Sequence, residues 1–117
     1  MSLLSEYTHN YSENHSVLVH PALNFSEKFL ILDRDGVLIE DVHHIVNPSS
    51  VSLLPNCADL IKSALDLDYS VAIVTNQSFL ARGLAPFKAY LDVTEKMFEY
   101  LGYKSLPHVV LASFWHP

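Results

Sequence analysis

The sequence predicts an α/β fold with a parallel sheet, in the order strand, helix, strand, helix, strand. Three observations carry this: three short apolar runs, two helical stripes between them, and polar clusters that end the first two runs. Phe29-Leu30-Ile31-Leu32 stops at Asp33-Arg34-Asp35-Gly36, Val71-Ala72-Ile73-Val74 stops at Thr75-Asn76-Gln77-Ser78, and the third run is Val109-Val110-Leu111-Ala112. Runs this short, apolar at every position, suit strands buried on both faces. Between them, Cys57, Leu60, Ile61, Ala64, Leu65 and Leu67 recur with a period near 3.6, and Pro55 or Asn56 opens that helix. A second stripe, Phe87, Tyr90, Leu91, Thr94, Met97, Phe98 and Leu101, follows Pro86, and Gly102 stands where a left-handed cap is expected. Strands alternating with helices make a parallel sheet with right-handed crossovers.

A chain of 117 residues predicts one domain. Residues 1–28, rich in Ser, Asn, His, Tyr and Glu, read as a poorly ordered leader with at most one strand, around Val17-Leu18-Val19. The folded unit is then expected over 29–117. A net charge of −6 argues against nucleic acid or anionic lipid as a partner, because binding a phosphate backbone needs clustered Lys and Arg. The apolar runs are far shorter than the ~18 residues that span a bilayer. One cysteine, Cys57, cannot form an internal disulfide, and its place on the apolar stripe reads as a small buried residue. The N-terminus lacks a basic segment followed by an apolar one, so a cytoplasmic address is expected.

In open parallel sheets, ligands bind outside the carboxyl ends of the strands. Both polar clusters lie at such ends. If the backbone stays extended from Asp33 to Asp35, the two carboxylates share a face, with Cα atoms roughly 6 to 7 Å apart. Neighbouring acids repel, which tends to raise the pKa of one and leave the other ionised, splitting the pair into an acid and a nucleophile. Gly36 lets the chain turn sharply away. Carboxylates alone repel phosphate, so a hard cation such as Mg²⁺ is needed to join the two. Thr75 and the amides after it supply donors for phosphoryl oxygens. An isolated Asp-x-Asp-Gly is also an ordinary turn. A calcium loop fits poorly: counted from Asp33, Gly falls fourth rather than sixth and His44 stands where Glu is required. His43-His44 near Asp41 read as a solvated loop rather than a metal site, since adjacent residues point apart.

With these residues in view, the first cluster, from Phe29 to Leu38, resembles the first motif of the haloacid dehalogenase superfamily phosphatases, and Val71 to Ser78 resembles the second. More narrowly, Thr75-Asn76-Gln77-Ser78 with Ala81-Arg82-Gly83, and Leu53-Leu54-Pro55 before them, resemble the D-glycero-D-manno-heptose 1,7-bisphosphate phosphatase subfamily. The histidinol-phosphate phosphatase branch shares the first motif and the Thr-Asn-Gln. The resemblance covers about residues 29–117. It implies a Rossmann-like core, here the N-terminal half of the hydrolase domain and hence an incomplete three-layer sandwich. It implies a sugar phosphate as substrate, Asp33 as nucleophile and Asp35 as acid and base. It also implies Mg²⁺ on the Asp33 carboxylate and the Asp35 carbonyl, with Thr75, Asn76, Gln77 and Arg82 around the substrate.

Several departures belong with it. The family's phosphate-neutralising Lys and its later acidic motif have no counterpart at a matching place. From this follows the expectation of a weak or inactive portion of a phosphatase, with a separate chain conceivable as the source of the remainder, or a non-catalytic phosphosugar-binding fragment. Ser113-Phe114-Trp115-His116-Pro117 stands where many members carry a Cys-Pro-His-His-Pro zinc loop, so zinc is not expected. Phe79 and Asn56 stand where Gly is usual.

Overall fold

The computed structural model describes residues 2–21, 25–41, 47–81, 83 and 86–114. Five strands form one mixed sheet in the order β1-β2-β5-β4-β3. The strands are β1 (Thr8–Tyr11), β2 (His15–Val19), β3 (Phe29–Asp33), β4 (Ser70–Asn76) and β5 (Val109–Ser113). The helices are α1 (Cys57–Asp66), the short α2 (Ser78–Ala81) and α3 (Phe87–Leu101). The three apolar runs become β3, β4 and β5, paired in parallel with Asp33 opposite Val74 and Asn76 opposite Ser113. Among the described residues no helix is long and apolar enough to cross a membrane.

The steps from β3 to β4 to β5 run in one direction, so right-handed crossovers place α1 and α3 on the same face. Their buried residues, Ile61, Val93, Met97 and Phe98, form one core with Leu18, Val71, Ile73 and Val110 of the sheet. The expectation of strands buried on both faces is therefore corrected. Alternate residues point to the other face, where Ile31 is 63% exposed and Leu111 42%. Two of three layers are present among the described residues. The α1 stripe is narrower than its sequence pattern: Cys57, Ile61 and Ala64 are buried, whereas Leu67 is 68% exposed. Among the described residues β3 is the edge of the sheet, and no strand beyond it carries a helix to cover that flank. The Cys57 thiol donates to the Leu38 carbonyl at 3.4 Å, and burial pushes its pKa up.

The larger difference lies at the N-terminus. Residues 8–19, expected within a poorly ordered leader, form the antiparallel hairpin β1-β2, and β2 pairs along the whole of β5. Without it β5 would present a row of unpaired backbone groups. Tyr7 is buried against Phe98 and donates its hydroxyl to the Pro107 carbonyl at 2.5 Å. The backbone amides of Leu3 and Leu4 donate to the Glu95 carboxylate of α3.

Two backbone positions explain local residue choices. Asn56 precedes α1 with φ of 67°, the left-handed region where Asn is the best tolerated residue after Gly. Its standing in for Gly is thus conservative. Gly102 ends α3 with φ of 88° and ψ of 157°, which is open to glycine but is not the left-handed helical cap expected.

His9 of β1 ties the hairpin down. Its Nε2 and Ser16 Oγ are hydrogen-bonded at 2.7 Å, its ring stacks on Phe87, and burial lowers its pKa below the ordinary 6.5. A depressed histidine pKa means the unfolded chain takes the proton first as pH falls, so the stability His9 contributes is present above its ordinary pKa and lost below it. The urea midpoint is expected to fall between about pH 7.5 and about pH 5.5. In His9→Gln the fall should be smaller; an equal fall removes His9 as a source.

Candidate active site

At the end of β3 the chain bends rather than continuing extended. The amide of Arg34 still donates to the Val74 carbonyl at 3.0 Å, but those of Leu38 and Ile39 then return to the Arg34 carbonyl. Gly36 makes the reversal with φ of 82°, its amide donating to the Ile39 carbonyl at 2.8 Å. This turn separates three side chains. Asp33 stays exposed at the strand tip, Arg34 is turned into the core at 1% exposure, and Asp35 reaches across to β4.

The Asp35 carboxylate is held on several sides. Arg34 donates Nε to Oδ1 at 2.9 Å and Nη2 to Oδ2 at 3.2 Å, a two-pronged fork. Thr75 Oγ1 donates to Oδ2 at 3.4 Å and Gln77 Nε2 at 3.2 Å, while Gln77 Nε2 also donates to Thr75 Oγ1 at 2.7 Å. Gln77 is buried, and its backbone amide donates to the Ser113 carbonyl at 2.7 Å, tying the tip of β4 to β5. The two polar clusters predicted to meet do meet, with Asp35 as the bridge. Thr75 is turned to Asp35 rather than left free as a donor.

Asp33 has a different environment. Together with Thr75 and Asn76 it lines a cavity of about 270 Å³ completed by Val74, Leu111 and Ser113, and no hydrogen bond or ion pair engages its carboxylate among the described residues. An exposed carboxylate with no competing cation is a suitable hard ligand. Mg²⁺ binds through one or two carboxylates plus waters and phosphate oxygens, so the Asp33 carboxylate and Asp35 carbonyl fit it as a partial ligand set. Among the described residues no three His, Cys, Asp or Glu gather as a metal cluster. Arg82, His43, His44 and 115–117 of the zinc-loop position lie outside the described residues, as does the side chain of Phe79.

Arg34 is the residue that sequence reasoning passed over, as the variable position between two acids. A partial signal was present: an Arg flanked by two carboxylates has an ion-pair partner at hand, which is the condition under which Arg can be buried.

No family model matches the chain. Among curated proteins it is 33% identical over 88 residues to a D-glycero-beta-D-manno-heptose-1,7-bisphosphate 7-phosphatase of Mesorhizobium japonicum, covering 74% of this chain and 41% of that protein. Among solved structures it resembles a Mesorhizobium loti protein described as a HAD-like phosphatase, with a TM-score of 0.83 and 27% identity over 93% of this chain and 54% of the other. It also resembles the D,D-heptose 1.7-bisphosphate phosphatase of B. bronchiseptica, solved with magnesium and phosphate, with a TM-score of 0.71 and 30% identity over 77% of this chain and 51% of the other. The chain spans 36% to 47% of the length of the curated relatives it matches. In sequence and in fold alike, the chain resembles haloacid dehalogenase-like phosphatases over about half of their length.

Proposed function

We propose that this chain forms the nucleophile-bearing part of a Mg²⁺-dependent sugar-phosphate phosphatase of the heptose 1,7-bisphosphate type. The observation that carries the reading is the division of two neighbouring acids: Asp33 open to a cavity, Asp35 clamped by Arg34, Thr75 and Gln77. In this reading Asp33 attacks phosphorus, the bond from phosphorus to the sugar oxygen breaks, and Asp35 delivers a proton to that oxygen. A water then attacks the aspartyl-phosphate, gives its proton to Asp35, and frees inorganic phosphate and the Asp33 carboxylate. Bound Mg²⁺ supplies charge neutralisation of the phosphoryl group. To release its proton Asp35 must exchange one of its hydrogen bonds, and the exposed Asn76, together with Arg82 by the resemblance, is a candidate to orient the sugar.

The open face of the sheet, with Ile31 and Leu111 exposed, supports including a complementary segment in the working enzyme, in a longer chain or a separate one. The lysine and further carboxylate that the resemblance implies would come from it. One missing electrostatic donor costs ~10² to 10³ in rate, so residues 1–117 alone are expected to turn over slowly. Calorimetry and phosphate release with D-glycero-D-manno-heptose 1,7-bisphosphate test the reading. Mg²⁺-dependent binding, tighter than that of histidinol phosphate and abolished by EDTA, is expected. Binding indifferent to Mg²⁺, tighter histidinol phosphate binding, or no binding at all overturns it.

A further inference from the structure

The resemblance counts Gln77 among the residues around the substrate, yet Gln77 is 2% exposed and stands outside the lining of the cavity to which Asp33, Thr75 and Asn76 contribute. Its backbone amide ties β4 to β5 through the Ser113 carbonyl at 2.7 Å, a bond that any residue except proline can make. The side chain therefore has a separate task. Its Nε2 donates to Thr75 Oγ1 at 2.7 Å and to Asp35 Oδ2 at 3.2 Å, and Thr75 Oγ1 lies 3.4 Å from the same Oδ2.

The chemistry of these three groups fixes which of them donates. An ionised carboxylate only accepts, so the Gln77 amide must present its nitrogen rather than its oxygen to Asp35. That nitrogen only donates, so Thr75 Oγ1 accepts from it. The threonine hydroxyl keeps one hydrogen of its own, which must be directed elsewhere. Its acceptor here, Asp35 Oδ2 at 3.4 Å, is distant against the ~2.7 to 2.8 Å usual between a hydroxyl and an oxygen. A closer anionic oxygen in the cavity that Thr75 lines would take that hydrogen bond over.

We infer that Gln77 is a positioning residue: it anchors Thr75 Oγ1 as an acceptor, so that the hydroxyl hydrogen swings from Asp35 to a phosphoryl oxygen when one enters the Asp33 cavity. This deepens the proposed function and rests on it, since the incoming anion is the phosphate of that reading. No covalent bond changes; a long hydrogen bond is exchanged for a shorter one. The exchange takes from Asp35 the longest of the hydrogen bonds described on it and leaves the Arg34 fork in place. Arrival of the phosphate thereby loosens the very carboxylate that the proposed reaction needs next, while Gln77 keeps both oxygens within reach.

The test is nuclear magnetic resonance of the full chain, reading the Thr75 χ1 rotamer from three-bond couplings while inorganic phosphate is titrated in the presence of Mg²⁺. In the unmodified chain Thr75 should hold one rotamer with and without phosphate. Gln77→Met keeps the side-chain length and the backbone amide but cannot donate to Oγ1. It should average the Thr75 rotamer and weaken phosphate about tenfold, the scale of one hydrogen bond to a charged group. In a Thr75→Val background the same change should cost no further affinity, because Gln77 acts through the hydroxyl; a merely structural role would add its own loss. An averaged rotamer in the unmodified chain, a single rotamer or undiminished affinity in Gln77→Met, or additive losses overturns the inference. Gln77→Asn, one methylene too short to reach Oγ1, repeats the measurement should Gln77→Met not fold. Absence of phosphate binding by the unmodified chain counts against the proposed function, and the Thr75 rotamer in Gln77→Met then decides the anchoring by itself.

Discussion

Replacing Asp33 with asparagine will remove phosphoryl transfer while leaving the fold in place. The side chain is exposed at a strand tip and makes no hydrogen bond or ion pair among the described residues, so the amide replaces the carboxylate without stranding a partner. An amide oxygen is a poor nucleophile toward phosphorus and a weaker Mg²⁺ ligand, so both of the residue's proposed roles are lost together. The expected drop is ~10⁴-fold or more, the scale seen when a covalent nucleophile is deleted. Phosphate release is the first readout. The second is acid-stable radiolabel retained on the protein after brief exposure to labelled substrate, which Asp33→Asn should abolish. Thermal unfolding should shift little. An unaltered rate, or a persisting covalent label, would show that another residue attacks.

Replacing Arg34 with methionine should produce the opposite profile: a large loss of stability, with activity falling because Asp35 is no longer oriented. Arg34 is almost wholly buried and its fork is the cationic partner of a partly buried carboxylate. Removing one member of a buried ion pair leaves the other uncompensated, at a cost of ~3 kcal/mol. For a chain of this size that lowers the unfolding midpoint by about 10 °C. Pairing Arg34→Met with Asp35→Asn should restore part of the loss, since the stranded charge is gone, and the double-mutant cycle measures the coupling directly. Strict additivity would mean that the fork contributes nothing to folding. Arg34→Lys keeps the charge but not the planar fork, so it should recover stability better than orientation. The split between unfolding midpoint and turnover separates these two roles.

The parallel core was legible because its signals are local. Each of β3, β4 and β5 is built on a continuous apolar run, and each strand extends one or two polar residues past its run, to Asp33, Asn76 and Ser113. The α3 stripe lies as its spacing predicts, with Tyr90, Thr94, Met97, Phe98 and Leu101 buried. The hairpin was legible only in part: the strand expected around Val17-Leu18-Val19 is β2, but β1 and the pairing were missed, because the inward positions include His9 and the fully buried Ser16, which read as polar until they hydrogen-bond to each other. Its partner, β5, lies some ninety residues away in sequence, beyond the reach of any local pattern. The burial of Arg34 escaped for a similar reason: a guanidinium between two acids looks solvated until the fold supplies its direction.

Taken by itself, the sequence determined where strands and helices lie and which acids stand at a strand end, because apolar periodicity and turn residues act over a few neighbours. Only the tertiary structure decided that one acid is clamped and the other open, that the N-terminal segment closes the β5 edge, and that one face of the sheet is covered while the other is not. Those outcomes depend on strand order and on hydrogen bonds between residues tens of positions apart, such as Asp35 with Thr75 and Gln77.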